Sequence, residues 1–132
     1  MANNNQFRNS FEKRIDKSKG KFDLFFKKFV VEVDTRLVSK SPVDTGRFKA
    51  NWMVGNGVVN SATTQSLSPA NNSQEINSIK VNGQIIYLSN SLPYAGELER
   101  GSSKQAPQGI ARLTIIEMQP VANKIGAELR LL

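Results

Sequence analysis

The chain has 132 residues, enough for one domain and too few for two of ordinary size. Apolar residues make up 39% and charged residues 22%, which supports one modest core and excludes a wholly disordered chain. With no Cys and no His the chain lacks disulfides, thiolate nucleophiles, imidazole bases and the usual zinc ligands, while a net charge of +7 suits nucleic acid, an anionic membrane surface or an acidic protein alike.

Residues 1–40 carry the strongest pattern. Phe7, Phe11, Ile15, Phe22, Phe25, Phe26, Phe29, Val33 and Leu37 recur mostly at intervals of three, four or seven, which places them along one stripe of a helix. Asn9 and Glu12 resemble a capping box, and Ser41-Pro42 closes the segment, because proline disfavours helix in its predecessor. A continuous helix from Asn9 to Lys40 would be about 48 Å long, whereas a compact chain of this length is about 36 Å across. The helix therefore either breaks at Ser18-Lys19-Gly20, which Gly20 favours, or projects beyond its own globule onto a neighbour. Both outcomes leave Phe7, Phe11 and Ile15 available to a partner. The basic residues of this segment read as a solvated face with pairs such as Asp23 to Lys27 and Glu32 to Arg36.

Ser41-Pro42-Val43-Asp44-Thr45-Gly46 is a turn by composition. After it, Phe48, Ala50, Trp52 and Val54 alternate with polar residues and Met53, the period of a half-buried strand or of a short turn leading into one. Residues 60–77 are dominated by Ser, Asn, Thr, Gln and Ala and read as a long polar loop. Ser78 to Val81 and Gln84 to Leu88 read as a hairpin around Asn82-Gly83. Tyr94 to Arg100 is a short amphipathic piece. Pro107 suits the first turn of a terminal helix carrying Ile110, Leu113, Ile116, Val121, Ile125 and Leu129, which Pro120 should kink or divide. The predicted fold is α+β, a small antiparallel sheet with a long N-terminal and a C-terminal helix packed on it, in a single domain over residues 1–132.

No catalytic constellation emerges. Asp44, Glu97 and Glu99 are the acids nearest to a turn or cluster, but their spacing matches no EF-hand, and salt bridges or caps are the simpler roles. Gly101-Ser102-Ser103-Lys104 lacks the first glycine and the Gly-Lys step of a phosphate loop. Arg47 and Lys49 beside Trp52 suggest a stacking platform for single strands, against which Trp52 on the apolar face reads as core. Neither a signal-peptide core near Met1 nor a run near the ~20 apolar residues of a membrane span is present. The expectation is a non-enzymatic protein without cofactor, metal or membrane partner, made in a cytoplasm-like compartment or used in an assembly built there.

Two segments, Ser41-Pro42-Val43-Asp44-Thr45-Gly46-Arg47-Phe48-Lys49-Ala50-Asn51-Trp52 and Asn90-Ser91-Leu92-Pro93-Tyr94-Ala95-Gly96-Glu97-Leu98-Glu99-Arg100-Gly101-Ser102, the latter followed by Ala106-Pro107, carry a family resemblance. In this order, after an N-terminal helix and before a C-terminal one, they resemble the neck or tail-completion proteins of long-tailed bacteriophages, the lambdoid tail-component and minor tail protein Z-like family. The resemblance implies a structural virion protein that forms a ring, usually six-fold, at the head-proximal end of the tail. The ring would be assembled in the host bacterial cytoplasm, and would join the tail terminator or tube to the head-completion connector while DNA passes through its lumen. A ring needs two different complementary patches per subunit. The helical arm with Phe7, Phe11 and Ile15 can supply one, and Tyr94, Glu97, Leu98, Glu99 and Arg100 the other. Within the turn, Pro42, Asp44, Thr45, Gly46 and Arg47 would aim the following strand. Gly46 and Gly101 would hold backbone positions closed to a side chain, and Glu99 would pair with a base such as Arg47. The rival reading is a small basic nucleic-acid-binding domain, whose affinity would fall steeply with salt.

Overall fold

The computed structural model describes residues 3–43 and 46–130. It is an α+β arrangement in which a long helix, α1 (Asn3–Lys40), serves as the spine. A single 3-10 turn at Lys49–Asn51 leads into strand β1 (Trp52–Asn56), followed by α2 (Ser73–Asn77), strand β2 (Ile86–Asn90), α3 (Ala95–Glu99) and α4 (Ala111–Arg130). The sheet is the antiparallel pair β1–β2, with Trp52 opposite Asn90, Val54 opposite Leu88 and Asn56 opposite Ile86.

Helix α1 ends at Lys40, where Pro42 would forbid a helical predecessor. The freed backbone is taken up locally, since the Ser41 hydroxyl donates to the Leu37 carbonyl at 2.7 Å. The Ser41 hydroxyl oxygen in turn accepts the indole N–H of Trp52 at 2.8 Å. Around this point Leu37, Phe48, Trp52, Leu92, Ala106 and Ile110 form one buried cluster. A second, of Val30, Val54, Ile76 and Ile79, fills the space between α1, β1 and α2. Met118, Ile125 and Leu129 of α4 are buried as well. Helix α4 runs antiparallel to α1: Glu117 meets Lys40 and Arg36 at one end, and Gly126 lies beside Phe25 towards the other.

Several expectations are corrected. Helix α1 does not break at Gly20, because one interior glycine costs only ~1 kcal/mol and the helix continues on both sides of it. Asn9 and Glu12 lie inside that helix, which already runs from Asn3, so they cap nothing. Glu32 and Arg36 do pair at 3.8 Å, whereas the Asp23 carboxylate accepts the Val81 N–H at 2.7 Å.

Of the two forms open to the alternation from Phe48, the structure takes the short turn leading into a strand. Phe48 and Trp52 flank a helical turn, four residues apart, with their rings edge to face at 5.7 Å. The 78–88 hairpin does not form: β2 begins at Ile86 and takes β1 as its partner, while Ile79 is buried in the core and Val81 is exposed. The polar loop of 60–77 contains α2, seated by the buried Ile76. Pro107 stands in a turn ahead of α4 rather than in its first turn, and α4 continues through Pro120.

Candidate assembly surface

Helix α1 outruns everything it packs on. The last described residue of α4, Arg130, lines a groove together with Ser18, Lys21 and Phe22, and every described side chain from residue 4 to 20 is exposed. The arm thus projects for about 25 Å at 1.5 Å per residue. It carries Phe7 at 73%, Phe11 at 54% and Ile15 at 37% exposure, and the first two rings stack on one another at 6.2 Å. A phenylalanine left in water forgoes about 2 kcal/mol of burial, so this stripe is costly unless something covers it. Where the arm meets the body, Phe22, Phe25, Phe26, Val81 and Leu129 line an open apolar groove of about 570 Å³.

The second expected patch is divided by the fold. Tyr94 is 37% exposed and leans on the Phe48 ring at 6.2 Å. Glu97 and Arg100 are exposed on the outside of α3, and Leu98 packs inward against the first cluster. Glu99 does not make the expected ion pair with Arg47; it caps α4. Its two carboxylate oxygens accept the backbone N–H groups of Ile110 at 2.9 Å, Ala111 at 2.8 Å and Arg112 at 2.9 Å. These donors have no intrahelical acceptor, and the positive end of the helix dipole favours a carboxylate there. Burial pushes the Glu99 carboxyl up, but the three N–H bonds and the Arg112 charge outweigh it and hold the group below its ordinary value.

The turn after α1 is fastened to the polar loop. Pro42 is buried, while Asp44 and Thr45 lie outside the described residues. Gly46 has φ +87° and a Cβ there would come within 2.7 Å of the Leu67 carbonyl oxygen. Gly101 has φ +93°, and a Cβ would run into the Pro107 carbonyl. The Arg47 Nε lies 3.5 Å from the Thr64 carbonyl oxygen. Asn51, fully buried, donates to Thr64 at 3.1 Å and accepts its N–H at 2.8 Å.

Sequence reasoning missed the residues that pin this loop. Asn72 accepts the Val54 N–H at 3.1 Å and donates to the Trp52 carbonyl at 3.0 Å, acting as a short extra strand beside β1. It also reaches the carboxyl of Asp34 on α1. Burial raises the Asp34 pKa, only partly offset by that contact, and its Oδ1 is buried without a partner. Glu117, another omission, takes hydrogen bonds from Lys40 at 2.5 Å and Arg36 at 2.8 Å, which hold its carboxyl below the usual range. Asparagines in a polar loop and one glutamate on a helix carry no sequence signal that separates these roles from solvation.

Among the described residues no three acidic side chains cluster as a metal site would require, and no helix is long and apolar enough to cross a membrane. No family model, curated protein or solved structure matches the chain. What the geometry offers is surface: an apolar arm, the groove at its root, and further exposed apolar side chains, including Ile115 and Ile116 on α4.

Proposed function

We propose that the chain is a structural protein of a tailed bacteriophage virion, forming a ring in the neck and joining the head-proximal end of the tail to the head connector. The arm is the observation that carries this reading: a helix that exposes Phe7 and Phe11 beyond its own globule is built to be covered by another molecule. The family resemblance of the 41–52 and 90–107 segments supplies the setting. The partners are copies of the chain itself, the tail terminator or tube protein, and a head-completion protein, with DNA passing through the lumen.

Native mass spectrometry at physiological ionic strength, alongside a gel shift on duplex DNA, tests the reading. A closed oligomer that leaves DNA unshifted supports it. A monomer that shifts DNA, with affinity falling steeply as salt rises, overturns it in favour of the nucleic-acid-binding alternative. In the phage, loss of the chain should leave filled heads and finished tails unjoined.

A further inference from the structure

We infer that the arms of neighbouring copies pack against one another in parallel around the ring, the phenylalanine stripe of each covered by the arm of the next. The inference deepens the ring reading above and rests on it for the existence of several copies.

The kind of occupant follows from the stripe itself. Phe7, Phe11, Ile15, Ser18, Phe22, Phe25 and Phe29 are separated by 4, 4, 3, 4, 3 and 4 residues. Their mean spacing of about 3.7 residues is that of the 11-residue helix-to-helix seam rather than of the heptad. The inner part of the seam already has a helix on it, since Phe25 and Phe29 meet α4. The outer part, from Phe7 to Ile15, is the same seam continued past Arg130, the last described residue of α4, and among the described residues no helix lies on it. A helix is therefore the shape that fits, and the chain supplies one in every further copy.

Charge selects the orientation. At about 100° per residue, Arg14, Lys17 and Lys21 line one flank of the stripe and no acid lies among them. Both acids of the arm, Glu12 and Asp16, lie beyond the other flank, with Arg8 and Lys19 nearer the stripe. In an antiparallel pair like flanks face one another, so the three bases of one arm would meet the three bases of the next. In a parallel arrangement the basic flank meets the flank that holds both acids. Parallel arms related by rotation about one axis also make a heterologous contact, the kind that closes into a ring.

The absence of cysteine makes the test clean. Asn4 is exposed at the far end of the stripe, and Asn4→Cys introduces a single thiol in the full chain. A short bismaleimide is expected to join Asn4→Cys chains in high yield, because parallel arms bring these positions together. Antiparallel arms paired about Phe11 hold them about 20 Å apart, out of reach. Adding Phe7→Ser and Phe11→Ser should lower the yield at least tenfold. Both side chains are exposed, so an unchanged thermal midpoint would show that the body remains folded. Arg14→Glu with Lys17→Glu should also lower it, and adding Glu12→Lys with Asp16→Lys should restore it. No cross-link at Asn4→Cys, in an oligomer or in a chain that stays monomeric, overturns the inference. If phage particles carry the chain in the neck without that cross-link, arm pairing fails and the neck reading stands. If the cross-link forms in a protein that never joins heads to tails, the neck reading fails and arm pairing stands.

Discussion

The carboxylate of Glu99 sits 2.8 Å from the backbone N–H of Ala111, twelve residues further along the chain, and thereby starts a helix that it does not belong to. Through that contact the loop from Gly101 to Gly109 is closed, α3 is tied to α4, and Ile110 is held in the first core cluster. Glu99 thus serves as a helix cap.

Glu99→Ala is expected to cost roughly 1–2 kcal/mol, the usual range for a lost N-cap, with Glu99→Gln intermediate. The group's pKa is depressed in the folded state, so its contribution is full above the unfolded value of about 4.3 and is lost as pH falls through the lower folded value. Urea unfolding at pH 7 and at pH 3 checks this: the gap between wild type and Glu99→Ala should narrow in acid.

Asp34 has the opposite sign. Its folded pKa is raised, so the stability it brings is present below the unfolded value of about 3.9 and disappears as pH rises through the folded value. Asp34→Asn should therefore raise the thermal midpoint at pH 7 and leave it nearly unchanged near pH 3. A lowered midpoint at pH 7 would show that the charged form is satisfied after all.

Asn72→Ala removes both bonds to β1 and leaves the Val54 N–H buried without an acceptor. A loss of about 2–3 kcal/mol is expected. Hydrogen exchange should show faster exchange at Val54 and across residues 60–77, while α4 stays protected.

Ser41→Ala strips the buried Trp52 indole N–H of its acceptor and the Leu37 carbonyl of a donor. About 1–3 kcal/mol should be lost. Because Trp52 is the one tryptophan, the change is readable directly as a shift in intrinsic fluorescence alongside the unfolding midpoint.

The two long helices were legible because their apolar spacing is repeated many times: the stripe from Phe7 to Leu37 and that from Ile110 to Leu129 need no distant information. The sheet was not. Trp52–Asn56 pairs with Ile86–Asn90 across a polar stretch, and the nearby Asn82-Gly83 signalled a local hairpin that competed with the true, non-local partner. The alternation from Phe48 to Val54 leaves strand and turn open together, since two apolar residues four apart satisfy a helical turn as well as a strand. The arm is legible in the sequence as a conflict of lengths, and its resolution turns on how little one glycine costs inside a long helix. The cap by Glu99 and the loop pin at Asn72 depend on tertiary approach, which residue type alone does not encode.

Gly20 stands where the supported part of α1 gives way to the bare arm, and a side chain there would touch nothing within 4 Å. Alanine would fit and would stiffen the helix by about 1 kcal/mol, so lack of room does not account for the glycine. What its place does set is leverage: a bend of about 10° at that residue swings the arm's tip by about 4 Å, given its length of some 25 Å. A bend there would carry Phe7 and Phe11 to a new position while the packing of α1 on α4 stays as it is.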